Sequence, residues 1–242
     1  MKFVPALLFC MLTTAAVTAE QSTRLADVLA LHAESAGPGL DALRAELSIE
    51  EPGFSVDGLY VARRDGRMRI DIYADGVRVF IEALDGADGW QWRGDSAEPE
   101  PLSDAGRAAL YRGVVANLYG LHERPAQGYT LSYEGEAYVD GERYWQLRSV
   151  APGGYTELLF LDPATGLVAR KREQRALHPD ADPRESLLET RYSDYRRVGG
   201  RMLSFRSETV DLDRGERLQQ TRLRAAEPDP QPDAAYFRFG SS

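Results

Sequence analysis

Three histidines, His32, His122 and His178, are the nitrogen ligands that this chain could offer a metal, and Cys10 is its only thiol. A zinc site needs three or four nitrogen or sulfur ligands gathered by spacing or by the fold. No His-x-His pair and no HExxH run gathers them here. Hydrolysis by a nucleophile needs a serine, a base within hydrogen-bond reach and a third group to orient that base. Serines, histidines and aspartates are all present, but no G-x-S-x-G elbow presents one of them. The carboxylate pairs Asp71 with Asp75 and Glu134 with Glu136 suit the solvated face of a sheet better than acid–base work. Asp85, Asp88 and Asp95 have calcium-binding chemistry without EF-hand spacing, and hairpin turns account for the first two. Pro152-Gly153-Gly154 lacks the glycine spacing of a dinucleotide turn. The sequence thus points to no catalytic residue, no cofactor and no metal. A hydrolase assembled from distant loops stays open as an alternative.

What remains is apolar surface. Each buried CH₂ of a guest contributes about 0.8 kcal/mol, so a greasy cavity can hold an acyl chain with no catalysis. Candidate lining residues are Leu47, Ile49, Met68, Ile70, Ile72, Val79, Ile81, Trp90, Leu110, Val114 and Leu118. Taken singly, each is more commonly ordinary core; the reading needs the set to leave space. Arg67, Arg69 and Arg78 are rim candidates, facing either a lipid phosphate or neighbouring acids.

The elements that would position these residues are mostly strands. Leu25, Val28, Leu29 and His32 recur at helical spacing over 24–34, and Gly37-Pro38-Gly39 ends that helix. From Leu43 the period becomes two, and it stays so through Met68, Ile70, Ile72 and then Val77, Val79, Ile81. Asp65-Gly66 and Asp75-Gly76 are hairpin signals. Trp90-Gln91-Trp92 makes a short strand. Ser103 caps a second helix over 104–119, with Leu110, Val114, Leu118 and Leu121 as its apolar stripe. Seven further strands follow from Tyr129, parted by Asp140-Gly141, 152–154, 162–166, 178–183, Gly199-Gly200 and Arg214-Gly215. The expectation is a mostly β (α+β) domain: a strongly curved antiparallel sheet, an unclosed β-barrel of about ten or eleven strands, covered by helices. A cavity of about 300 Å³ or more should lie between the sheet and the second helix.

The ends and the charge narrow the setting. Lys2, an apolar run from Phe3 to Leu12, and Val17-Thr18-Ala19 read as an export peptide over 1–19, removed with the only cysteine. Residues 20–242 then form one domain, with 227–242 a loop-rich tail pinned by Tyr236, Phe237 and Phe239. A cysteine-free exported protein fits the periplasm and must be held by its core alone. The net charge of −9 at pH 7 excludes nucleic acid as a partner and leaves at most transient contact with a membrane.

The turn grammar also resembles a known family. Arg67-Met68-Arg69-Ile70-Asp71, then 85–90 (Asp-Gly-Ala-Asp-Gly-Trp), 139–145 and 161–167 follow the first helix in an order similar to the periplasmic LolA/LolB-like superfamily, of which this would be a divergent member. The resemblance implies an unclosed barrel around an apolar cavity with helices as its lid. It implies a carrier of lipids, acyl chains or acylated proteins. Asp85, Gly86 and Trp90 match the family's turn and following aromatic, and Arg69 is the candidate for the carrier's lid-latching arginine. The acceptor protein's lipid anchor and exposed leucine loop are not evident. The expected partner is thus a hydrophobic small molecule, a lipid or an acylated protein. The alternative is an envelope protein docked to a non-enzymatic interaction module.

Overall fold

The computed structural model describes residues 8–240, with side chains from Glu20 onward. The expected export peptide therefore lies outside the described side chains, and residues 1–7 lie outside the description altogether. Two α-helices, α1 (Leu8–Ala36) and α2 (Asp104–Leu118), accompany thirteen strands. The strands are β1 (Ala42–Glu51), β2 (Phe54–Arg63), β3 (Met68–Ala74), β4 (Val77–Asp85), β5 (Asp88–Arg93), β6 (Glu100–Pro101) and β7 (Thr130–Val139). They continue with β8 (Glu142–Val150), β9 (Thr156–Leu161), β10 (Val168–Arg175), β11 (Ser186–Val198), β12 (Arg201–Asp211) and β13 (Glu216–Pro228).

All pairings are antiparallel; short turns impose this on most neighbours, and the long-range β1–β13 pairing is antiparallel too. Asp75-Gly76 and Asp140-Gly141 each have positive φ at both residues, the geometry that matches strand twist in a two-residue hairpin. One sheet results, in the order β6-β5-β4-β3-β2-β1-β13-β12-β11-β10-β9-β8-β7. The sheet is curved and does not close. Its two edges are consecutive in the chain: β6 is one and β7 is the other. The segment between them must cross the open side of the sheet, and it carries α2 and a 3₁₀ turn, Leu121–Gln127. The cover is thus imposed by topology.

Each helix seals one half of the concave face. Under α2, Val114, Val115 and Leu118 pack with Leu43, Ala62, Met68 and Leu84. Under α1, Val28 meets Leu121, Leu147, Leu159 and Leu161, with Leu25 and Leu29 at the flank. Ser103 caps α2, its hydroxyl accepting from the Gly106 amide at 3.0 Å.

The convex face of β3–β5 is covered by the tail. Phe237 is fully buried there, the Trp90 indole donates to the Phe237 carbonyl at 2.9 Å, and Arg69 donates to the Tyr236 carbonyl at 2.9 Å.

Two strands are additional to the expected eleven. β6 has only two residues. β2 lacks alternation because Tyr60, Val61 and Ala62 are buried in succession, on both faces of the sheet. Gly58, which looks like a break in that strand, lies opposite Leu47; a Cβ there would meet Leu47 Cδ1 at 2.5 Å.

Candidate ligand cavity

A cavity of about 270 Å³ lies on the concave side, where the two halves of the sheet join through the β1–β13 pairing. β1 contributes Leu43, Ala45 and Leu47; β2 contributes Tyr60; β12 and β13 contribute Leu203 and Leu223. These are apolar, and Asn117, Ser207 and Thr221 line the void with them. Charged and hydrogen-bonding residues line it too: His32 from α1, Arg124 from the 3₁₀ turn, Lys171 from β10, Tyr192 and Tyr195 from β11, and Arg201 at the start of β12, with Leu121, Leu159, Leu167 and Val168 among them.

Each polar residue has a local reason for its place. His32 continues the Leu25–Val28–Leu29 stripe of α1, so burial of that stripe buries the imidazole. Its Nδ1 lies 2.9 Å from the Gly166 carbonyl, an acceptor, so Nδ1 carries the proton and Nε2 is left as a lone pair. Gly166 has φ +67°, and a Cβ there would press on the backbone of α1 at His32. Burial, reinforced by the charges of Arg201, His122 and Arg124, holds the His32 pKa down at about 4.

Lys171, Glu157, Glu173 and Arg124 form a buried ionic network. Lys171 Nζ is 2.8 Å from Glu173 and 3.4 Å from Glu157, and Arg124 donates to Glu157 at 2.8 Å. Burial opposes the charges of Lys171, Glu157 and Glu173. For Lys171 the nearby Glu173, Tyr192 and Glu157 outweigh it and raise the pKa. For Glu173 burial is outweighed by Lys171 and Arg175, which lower the carboxyl to about 2. Lys171, Glu157 and Glu173 are therefore ionised at neutral pH. Arg201 has no acid within ion-pair distance among the described residues; Glu123, the acid that acts on it, is bound to Arg64 and the Gly120 amide. Its Nη2 donates to the Tyr119 carbonyl at 2.8 Å, and burial, with Arg124 and Arg64, outweighs Glu123 and pulls its pKa down to about 10.

A loop over 176–185 crosses toward the other half of the sheet. His178 Nε2 meets Glu51 at 2.9 Å, and Asp180 accepts from the Ser103 amide at the start of α2 at 2.8 Å.

The expected lining residues divide into three groups. Leu47 lines the cavity. Met68, Val114 and Leu118 are fully packed beneath α2, with Ile49, Ile70 and Leu110 against them; Ile72 is half-buried beside Gly58. The space beneath α2 is filled at Val114 and Leu118, and the void, which Ala116 and Asn117 of α2 also line, lies nearer the centre of the sheet. Ile81 and Trp90 need correction. Ile81 pairs with Asp71 and Trp90 with Ala83, which puts both on the convex face under the tail. Val79 is the extra residue of a bulge between Phe80 and Arg78 and is 36% exposed.

The rim arginines are all engaged by acids. Arg67 binds Asp65 and Asp85, and Arg78 reaches Asp71 at 3.2 Å. Arg69 grips Asp71 through both carboxylate oxygens on the convex face. Asp75 sits in its turn, while Glu134 and Glu136 pair with Arg148 and Arg143 at the surface.

Sequence reading missed the charged and hydrogen-bonding lining of the cavity. Arg201 follows Gly199-Gly200 and reads as a surface hairpin residue; only the contact of that turn with Gly37 brings it inside, where a Cβ on Gly37 would meet the Gly200 carbonyl at 2.2 Å. Lys171 carried a signal: it is the only lysine after Lys2.

No protein-family model matches the sequence, and no curated protein matches it either. The fold does have solved counterparts. A LolA superfamily protein from Nitrosomonas europaea superposes with a TM-score of 0.60 at 14% identity, over 88% of this chain and 96% of that one. A putative outer membrane lipoprotein-sorting protein domain from Vibrio parahaemolyticus gives 0.60 at 11% identity, over 86% and 94%. The chain has the LolA-superfamily fold, carried by a sequence far diverged from both.

Proposed function

We propose that this protein binds and carries a hydrophobic ligand, a lipid or an acyl chain free or attached to a protein, in the periplasm after removal of residues 1–19. The observation that carries the reading is the cavity between the two helices and the open sheet. An apolar void of about 150 Å³ already takes up a benzene-sized guest. At about 270 Å³ the space here is larger, and just below the usual range for ligand sites, about 300–1,000 Å³. It suits a short acyl chain as it stands, or part of a longer one once the helices part. About eight buried methylenes contribute about 6 kcal/mol, enough for reversible binding without a fixed charge. The fold shared with a lipoprotein-sorting protein supports the same reading.

Ala45 offers the test, because it lines the void and its side chain is small. A fluorescent acyl probe should bind the wild-type protein and lose at least tenfold in affinity in Ala45→Leu, while the thermal midpoint holds or rises as the void fills. Native mass spectrometry of protein taken from the envelope should show a bound lipid. A wild-type protein that binds no acyl probe and carries no lipid would end this reading.

A further inference from the structure

We propose that the ligand is an amphiphile bearing an oxyanion at one end, and that Arg201 holds that oxyanion in the cavity. The inference rests on the carrier reading and adds the chemistry of the cargo.

The argument starts from the pairing of buried cations. A guanidinium removed from water is costly unless an anion and good hydrogen bonds replace the water. This chain follows that rule at its other deeply buried arginines among the described residues: Arg69 lies 2.8 Å from Asp71, and Arg124 lies 2.8 Å from Glu157. Lys171, also at the cavity, has Glu173 at 2.8 Å. Arg201 breaks it. It is only 6% exposed and makes no ion pair among the described residues, and its Nε and Nη1 have no hydrogen-bond partner. Those two atoms carry three N–H groups.

The orphaned atoms do not stand alone. Arg124 Nε, also a donor buried without a partner, lines the same cavity, while the unpartnered His32 Nε2 there is a lone pair that needs a donor, such as water or an acid proton, rather than an anion. Unsatisfied buried polar atoms cost stability one by one, so two arginines with unpartnered N–H groups around one void indicate a missing acceptor there. The missing partner must accept several N–H bonds and be negative; a carboxylate or a phosphate meets both demands, and guanidinium groups suit either. The same void runs on to Leu47 and Leu223, which accept an apolar chain. The lining offers both N–H donors for charge and apolar surface for hydrocarbon.

The test compares decanoate, decyl phosphate and decanol by calorimetric titration of the full protein, with acetate and inorganic phosphate as chainless anions. Either long-chain anion should bind about tenfold to a hundredfold more tightly than decanol, the range for a hydrogen bond to a charged group. Decanoate against decyl phosphate tells carboxylate from phosphate. Arg201→Met should abolish the preference for the anion while leaving decanol affinity in place, and should not lower the thermal midpoint of the empty protein, because it removes an unpaired buried charge. Arg201→Lys should restore part of the preference. Equal affinity for decanol and both long-chain anions in the wild-type protein would overturn the proposal and leave the carrier reading standing. So would chainless anions binding as tightly as chained ones. Failure of all three long-chain compounds to bind would remove the carrier reading and this inference together. The wild-type comparison decides the matter even if the methionine variant does not fold.

Discussion

A histidine and an arginine set the character of the cavity, and each was differently visible in the sequence. His32 was legible as part of an apolar stripe, because helical spacing alone places it beside Val28 and Leu29. Its chemistry was not, since the Gly166 carbonyl that fixes its tautomer comes from a turn 134 residues away. The pH consequence follows from its lowered pKa. Between pH 6.5 and about 4 the unfolded chain holds a proton on His32 and the folded chain does not, so folding stability falls as pH falls through that window. A drop from 6.5 to about 4 corresponds to about 3 kcal/mol. Urea titrations across this range should show that loss in the wild-type protein and a flatter profile in His32→Gln; parallel profiles would count against a buried neutral imidazole. Arg201 was invisible for a different reason. Two glycines before an arginine describe a solvent-facing hairpin, and only the packing of Gly37 on Gly200 turns it inward.

Helices and loops decide whether the cavity is open. The second helix was readable from its cap and its i, i+4 stripe, and its bounds follow closely from Ser103 and Gly120. What spacing could not provide was the amount of room under it: whether Met68 and Leu118 touch or leave a gap depends on the curvature of the sheet. The loop over 176–185 read only as polar, yet it joins β10 to α2 and β1. Glu51 raises the pKa of His178 through their hydrogen bond. For Glu51, burial pushes up, and the bonds from His178 and Gln219 outweigh it to leave the carboxyl low. A raised histidine contributes fully below 6.5 and loses its contribution as pH rises through its folded pKa; a lowered glutamate contributes above 4.5 and loses it as pH falls. The contact is strongest between those limits. Amide exchange over 176–185, corrected for intrinsic rates, should therefore show most protection near pH 5.5 and less above neutrality. His178→Ala should remove that pH dependence, and an unchanged profile would show that the contact does not hold the loop.

At the scale of the molecule, the two runs of hairpins were legible because Asp-Gly and Gly-Gly turns punctuate period-two segments. The join between the runs was not. No local signal says that β1 pairs with β13, a contact across most of the chain, and that pairing places the void at the centre of the sheet. Face assignment failed where bulges interrupt alternation: the shift between Ile72 and Tyr73 and the tail over β3–β5 together reassign Val79, Ile81 and Trp90. The two faces can be told apart by mutation. Phe237→Ala, on the convex side, should cost about 3–5 kcal/mol of stability and leave acyl-probe affinity unchanged at temperatures where the variant is folded. A loss of affinity there would mean that the ligand lies under the tail.

A crystal structure of the protein grown with decanoate tests the central claim most directly. The account predicts an acyl chain between Leu47 and Leu223, with its carboxylate within hydrogen-bond distance of Arg201. A chain found on the convex face beside Trp90, or a cavity holding only water at saturating decanoate, would contradict it.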